Sequence, residues 1–108
     1  MSYTRPMIKD AILGRLREQE VELRRLGVES LSLFGSVARD EERDASDIDV
    51  AVKLDPALMP RGFAYFGFLA DLEERLKKAL GRHVDVIPEP AKKPALQREI
   101  DRDRVIAF

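Results

Sequence analysis

The sequence of 108 residues contains no cysteine. This absence excludes disulfide scaffolds, thiolate catalysis and cysteine-based zinc sites. An excess of positive charge is missing too, since 19 Lys and Arg oppose 20 Asp and Glu and leave a formal net charge of −1. Without a general positive field, direct binding of a nucleic-acid backbone is not expected.

Long hydrophobic runs are also missing. The longest nearly uncharged segment, 59–70, is interrupted by Arg61 and is far shorter than the ~20 apolar residues that span a membrane. No apolar run follows Arg5, as it would in a secretion signal. We therefore expect a cytoplasmic protein with no membrane partner. The length suits a single domain over residues 1–108, which leaves no room for a separate substrate-binding domain and makes a protein partner expected.

Periodic apolar residues predict helices in three places. Helical spacing runs across 8–26 and again across 66–80, and Gly27 and Gly81 follow directly, so two amphipathic helices that end at glycine are predicted. A shorter helix is predicted after Pro94, which is tolerated in a first turn.

Short segments with alternating polarity predict the strands. They lie at 28–34, 48–54 and 83–87, and the apolar end at 105–108 can add a fourth strand. Strands that alternate with helices indicate an α/β fold: a small mixed sheet of three to four strands backed by helices.

Three aspartates form a pattern that is typical of a metal centre. Asp47 and Asp49 lie two residues apart on the second predicted strand, so both carboxylates leave one face with their Cα atoms ~6.6 Å apart. Asp85 on the third predicted strand joins them if the two strands are neighbours. Oxygen ligands suit Mg²⁺ or Mn²⁺, which can hold nucleotide phosphates and activate an attacking hydroxyl. A simpler interpretation stays open, in which Asp47 caps a turn and Asp49 is an exposed strand residue.

Gly35 and Ser36 follow the first predicted strand and accompany this pattern. Glycine lets a backbone approach a ligand closely, and a serine hydroxyl can donate to a phosphate oxygen. A Gly-Ser pair by itself more often marks an ordinary turn. The pair and the three aspartates together are far more specific than either signal alone.

The combined pattern resembles the minimal nucleotidyltransferases of the DNA polymerase beta superfamily. The matching segments are Leu33-Phe34-Gly35-Ser36-Val37-Ala38-Arg39, Ser46-Asp47-Ile48-Asp49-Val50 and Val84-Asp85-Val86. Many members carry glycine after the Ala-Arg of the first segment, where this sequence has Asp40.

The resemblance implies a nucleotidyltransferase fold and a role for each matching residue. Gly35 and Ser36 would contact nucleotide phosphate. Asp47 and Asp49 would hold two Mg²⁺ ions, with Mn²⁺ as the alternative, and Asp85 would be the third ligand and would help to activate the acceptor.

The resemblance also implies a biological setting. Such single-domain proteins commonly stand beside a HEPN-domain toxin as its antitoxin, and some transfer AMP from ATP to a toxin tyrosine. The sequence leaves two hypotheses: an adenylyltransferase antitoxin, or a catalytically idle antitoxin that neutralises its partner by forming a complex.

Other notable residues have weaker functional claims. Among the aromatic residues near the second long helix, Phe66 and also Phe63 are expected in the core, and Tyr65 and Phe68 are candidates for a partner surface. His83 is expected to be a polar residue that begins a strand.

Overall fold

A computed structural model describes residues 8–41 and 47–108. In chain order its helices and strands are α1 (Ile8–Glu18), α2 (Glu20–Leu26), β1 (Val28–Phe34), α3 (Gly35–Ala38), β2 (Ile48–Leu54), α4 (Phe63–Leu80), β3 (Val84–Pro88), α5 (Pro94–Asp103) and β4 (Val105–Ile106). A 3₁₀ turn at Pro56–Leu58 lies between β2 and α4. The predicted α/β fold with a small mixed sheet is confirmed.

The four strands form one sheet in the order β3-β2-β1-β4. β1 is antiparallel to both β2 and β4, and β2 is parallel to β3. The condition for Asp85 to join Asp47 and Asp49, that the second and third strands are neighbours, is therefore met. The same register pairs Asp49 with Asp85, which brings the two acidic strand segments side by side.

The two faces of the sheet are unlike each other. On one face, Ile48, Val50 and Val52 of β2 are buried in the main core, which includes apolar side chains from α1, α2 and α4. On the other face a smaller cluster joins Ala51 of β2 to Ile100 of α5. Because side chains alternate along a strand, the face with Ala51 also carries the acidic residues of β2.

The first predicted helix, 8–26, is divided in the structure into α1 and α2. Gln19 separates them with φ −89° and ψ −3°, and its amide donates to the Leu16 carbonyl, three residues back, at 3.0 Å. Apolar periodicity continues through this tight turn, so the sequence pattern alone does not reveal it. Gly27, with φ +111°, ends α2 as predicted.

The expectation that Phe66 and Phe63 lie in the core is wrong. Phe63 is 95% exposed and Phe66 is 62% exposed. Side chains of α4 reach the main core only from Phe68 onward, where Leu72 and Leu76 are buried. Helical spacing identifies which face of a helix is apolar, but it does not tell where along the helix the core begins.

Across the described ranges, none of the helices combines the length and the apolar character that crossing a membrane requires.

Candidate active site

The candidate site lies where the parallel strands β2 and β3 begin. Asp47 directly precedes β2, and Asp49 is its second residue. The register pairs Ile48 with Val84 and Asp49 with Asp85, and the Ile48 amide donates to the His83 carbonyl at 3.0 Å. The three predicted carboxylates, which we call the aspartate cluster (Asp47, Asp49 and Asp85), are therefore brought together at one end of the sheet.

His83 belongs to the same place, although the sequence interpretation expected only a polar residue that begins a strand. One ligand atom from each of Asp47, His83 and Asp85 lies within 4.8 Å of the others. The His83 Nε2 atom lies 3.0 Å from Asp85 Oδ1. The signal was present in the sequence, since His83 and Asp85 are two residues apart and share a strand face.

Asp49 is the most perturbed acid of the site. Burial is the largest cause that raises the pKa of Asp49 from 3.8 to about 6. Neighbouring acids raise its pKa further, in the order Asp85, Glu99 and Asp47, and the nearby charge of Arg39 acts in the opposite direction. Uncompensated negative charge in a half-buried site is an arrangement that a cation would stabilise.

Glu99, on α5, is an acidic neighbour that the sequence interpretation missed. It is far from the motif in the sequence and becomes a neighbour of Asp49 only because α5 packs over this face of the sheet through Ile100. No local spacing predicts a contact of this kind.

The carboxylate of Asp49 restricts position 35 to glycine. Its φ is +75°, and a Cβ atom at this position would lie 2.5 Å from Asp49 Oδ2. Glycine is therefore required both by the backbone conformation and by the close approach of the Asp49 side chain. We predicted glycine here for the approach of a phosphate; the structure gives a reason within the protein, and phosphate contact by Gly35 and Ser36 stays a prediction.

Asp40 occupies the position at which the resemblance led us to expect glycine. Its φ is +59°, a left-handed conformation that glycine adopts freely and that aspartate tolerates better than most residues. The Lys9 ammonium donates to Asp40 Oδ2 at 3.0 Å. The departure from the family pattern thus keeps the turn and adds a paired charge.

Arg39 is anchored next to the site by acids of its own. Its Nη1 donates to Asp103 Oδ2 at 2.5 Å, and its Nε donates to Glu41 Oε2 at 3.0 Å. The Arg102 guanidinium also donates to Asp103. Hydrogen bonds from Arg102 are the largest cause that lowers the pKa of Asp103 to about 2, although burial acts in the opposite direction.

Part of the segment between α3 and β2 is outside the described residues. This part is 42–46, and it includes Ser46 of the motif.

The donor atoms of the site fit a divalent ion. Carboxylate oxygens from neighbouring strands are the ligands that Mg²⁺ and Mn²⁺ prefer, and Asp47, His83 and Asp85 place their donor atoms within 4.8 Å of one another. Burial, and after it the charges of the neighbouring acids, raise the pKa of Asp49, so a bound cation would stabilise its charged form. Such a site can bind a cation and, through it, an anionic substrate.

Comparisons with known proteins agree with this arrangement. A family model described as a nucleotidyltransferase domain matches residues 16–107. The chain is 31% identical over 93 residues to the protein adenylyltransferase MntA of Thermococcus cleftensis, and the match covers 83% of this chain and 86% of that protein.

Solved structures share the fold. One, provisionally named a minimal nucleotidyltransferase, has a TM-score of 0.69 and 29% identity and covers 95% of this chain and 98% of its own. A more distant one is a tri-AMPylated HEPN toxin from Shewanella oneidensis in complex with an MNT antitoxin. Its TM-score is 0.55 at 20% identity, and the match covers 87% of this chain and 71% of the matched chain. At that identity the likeness concerns the fold alone.

Proposed function

The chain belongs to the nucleotidyltransferase domain family, and we propose that it is an antitoxin that transfers AMP from ATP to a tyrosine hydroxyl of a HEPN-type toxin. The observation that carries the proposal is the pairing of Asp49 with Asp85 across two parallel strands, with Asp47 at the start of the first. Gly35 lies against the Asp49 carboxylate, so both halves of the family pattern meet at one site.

The relatives support the choice of donor and acceptor. The archaeal relative is named a protein adenylyltransferase, which favours ATP as the donor and a protein as the acceptor. The complex of an MNT antitoxin with a tri-AMPylated HEPN toxin favours a toxin of that class as the partner. Because ATP is the donor, the proposal places the protein in the cytoplasm.

The aspartate cluster would hold the metal ions of the reaction. Asp47, Asp49 and Asp85 would be the ligands of two Mg²⁺ ions, with Mn²⁺ as the alternative, and such ions supply positive charge next to the transferred phosphoryl group when they are bound. The cluster itself attracts the ions, because its negative charge is only partly opposed by Arg39.

The remaining steps are assigned to residues of the chain. Gly35 and Ser36 would orient the nucleotide phosphates, with the Ser36 hydroxyl donating to a phosphate oxygen. The tyrosine oxygen of the acceptor attacks the α-phosphorus and forms the new phosphodiester bond. The bond from that phosphorus to the bridging oxygen of the β-phosphate breaks, pyrophosphate leaves, and Asp85 accepts the proton of the tyrosine hydroxyl.

The test combines the purified protein, a HEPN-type toxin, ATP and Mg²⁺. We expect the toxin to gain mass in steps of one AMP, and its inhibition to persist after this protein has been removed, since the modification is covalent. Ser36→Ala should raise the KM for ATP with little change in stability, whereas Asp47→Asn should stop the mass increase. Omission of ATP is the control.

The idle antitoxin predicts the opposite results. Protection from the toxin would need a stoichiometric complex, would survive Asp47→Asn and would end on dissociation. If the Asp47→Asn protein protects as well as the wild type and the mass of the toxin never changes, the transferase proposal is wrong.

A further inference from the structure

We propose that His83 is a ligand of this metal centre and that its imidazole shifts the preference of the site from Mg²⁺ towards Mn²⁺. This role deepens the proposed function, because it presupposes that the aspartate cluster binds a divalent ion. It adds a nitrogen donor to a site that the sequence pattern describes by oxygen donors only.

The strand register supplies the first argument. Ile48 lies opposite Val84, and Asp49 lies opposite Asp85, so one step earlier along both strands Asp47 lies beside His83. Side chains two residues apart share a face. Two parallel strands thus present an array of four donors, three carboxylates and one imidazole, on one face of the sheet.

The interatomic distances supply the second argument. His83 Nε2 lies 3.0 Å from Asp85 Oδ1, and one ligand atom from each of Asp47, His83 and Asp85 lies within 4.8 Å of the others. Neighbouring ligands of an octahedral ion with bonds of about 2.1 Å lie about 3 Å apart. The imidazole nitrogen and the carboxylate oxygen are therefore already spaced as two adjacent ligands of one ion.

Exposure leaves room for the ion and its other ligands. The side chains of His83 and Asp85 are 56% and 46% exposed, so a hydrated cation can reach the donors without displacing the core. The His83 Nε2 atom is directed at Asp85 Oδ1 within hydrogen-bonding distance, so an ion that binds both atoms would replace this hydrogen bond.

Ligand chemistry sets the expected preference. Mg²⁺ is bound almost entirely by oxygen ligands, whereas an imidazole nitrogen suits ions further along the transition series. Mn²⁺ accepts both donor types and keeps the octahedral geometry that a phosphate-binding site needs. A single imidazole among carboxylates therefore favours Mn²⁺ over Mg²⁺ and leaves Mg²⁺ able to bind.

The first test detects the nitrogen ligand directly. His83 is the single histidine of the chain, so electron spin echo spectroscopy of bound Mn²⁺ can report an imidazole nitrogen only from this residue. We expect ¹⁴N modulation in the wild type, its change to a ¹⁵N pattern when histidine alone is labelled, and its loss in His83→Gln. Bound Mn²⁺ without any histidine modulation would overturn the ligand role.

The second test measures preference without any turnover. Calorimetric titration with Mn²⁺ and Mg²⁺ should show that His83→Gln weakens Mn²⁺ binding about tenfold and weakens Mg²⁺ binding less than about twofold. Asp47→Asn is the control, because the loss of a carboxylate should weaken both ions. Equal effects of His83→Gln on the two ions would overturn the proposed preference.

The two proposals fail in different ways. Histidine modulation together with no AMP transfer to any HEPN-type partner would keep the ligand role and remove the proposed reaction. The opposite outcome would be AMP transfer by a protein whose bound Mn²⁺ shows no histidine modulation. If His83→Gln also left the ratio of the Mn²⁺ and Mg²⁺ dissociation constants unchanged, the reaction would stand and the ligand role would be removed.

Discussion

Asp49 and Asp103 both lie close to Arg39, yet their surroundings shift their pKa values in opposite directions. Arginine hydrogen bonds hold the pKa of Asp103 at about 2, whereas burial and neighbouring acids raise that of Asp49 to about 6. The side chain of Asp103 is 3% exposed and receives hydrogen bonds from two arginines. The side chain of Asp49 has acids for neighbours, and its Oδ2 atom occupies space that a Cβ atom at Gly35 would fill.

Paired acids continue along the end of the chain. Arg104 donates to both oxygens of Glu89 at 2.7 Å and also to Asp101 at 3.2 Å. The same arginine donates to the Ser32 hydroxyl of β1. We call Glu89, Asp101, Asp103 and their arginines the paired region.

The two groups of acids serve different purposes: the paired region stabilises the fold, and the aspartate cluster is suited to chemistry. In the paired region each acid has a cation, so its charge is used in holding α5 and the C-terminal segment to the sheet. In the aspartate cluster the carboxylates lie among other acids, and Asp85, Glu99 and Asp47 raise the pKa of Asp49 beyond the effect of its burial. Strongly perturbed acids are typical of functional sites.

The largest expected effect is the loss of transfer when an acid of the aspartate cluster is neutralised. Asp49→Asn should reduce AMP transfer by at least about 1,000-fold, because the charge that holds the metal ions is worth several kcal/mol in the transition state. The measurement is the rate of mass increase of the toxin partner with ATP and Mg²⁺.

Asp101→Asn is the matched control from the paired region. It also replaces one aspartate, 62% exposed, by asparagine, and transfer should stay within about twofold of the wild type, as for most exposed substitutions away from a site. Equal losses of transfer in Asp49→Asn and Asp101→Asn would show that the aspartate cluster and the paired region do not differ in their importance for the reaction.

The next largest effect concerns stability in the paired region. Arg104→Met leaves Glu89, whose side chain is 6% exposed, as a buried charge with no guanidinium, and should lower the free energy of unfolding by about 2–3 kcal/mol. Urea denaturation measures the change.

A double-mutant cycle tests the cause of that loss. In a Glu89→Gln background the same Arg104→Met change should cost less than about 1 kcal/mol, because no charge is then left unpaired. Additive losses would show that the arginine acts through packing and not through the ion pair.

A smaller effect tests the contact between Gly35 and Asp49. Gly35→Ala should cost about 2 kcal/mol, in part because an alanine is strained at φ +75° and in part because its Cβ would meet Asp49 Oδ2. Urea denaturation gives the free energy of unfolding.

Gly81→Ala is the matched control, since Gly81 has φ +71° and nothing within 4 Å of a Cβ atom. It should cost only the backbone strain, about 1 kcal/mol. The difference between the two substitutions isolates the Asp49 contact, and equal costs would show that this contact contributes nothing.

The sequence placed Asp85 beside Asp47 and Asp49 only on the condition that the second and third strands are neighbours, which the structure shows. Local patterns predicted that Asp47 and Asp49 share a face, because alternation along a strand fixes the face of each side chain. They predicted the ends of the helices at Gly27 and Gly81 for the same kind of reason. These features depend on neighbours in the sequence, so a single chain contains the information.

Features that depend on distant packing escaped prediction. Glu99 comes near Asp49, and Asp103 reaches Arg39, only through the docking of α5. The expected burial of Phe66 was wrong because periodicity does not locate the end of the core. His83 was underestimated for a different reason: its spacing to Asp85 was visible, but a polar residue at the start of a strand has an ordinary explanation.

The smallest expected effect is a pH dependence that comes from Asp49 alone. Its pKa is about 6 in the fold against an ordinary value of 3.8, so between about pH 4 and pH 6 the folded protein binds a proton that the unfolded chain has released. The metal-free protein must therefore lose stability as the pH rises through this window. The full shift would correspond to roughly 3 kcal/mol, which solvent screening of a partly exposed group reduces to on the order of 1 kcal/mol. Urea denaturation with a chelator present should show Asp49→Asn gaining stability over the wild type from about pH 4 to pH 6.

Asp103→Asn is the control. The depressed pKa of Asp103 gives stability that is lost only as the pH falls from about 4 towards 2. Between about pH 4 and pH 6 the difference in stability between Asp103→Asn and the wild type should therefore stay constant. Parallel curves for the wild type and Asp49→Asn would mean that the excess charge of the aspartate cluster carries no cost in the absence of metal.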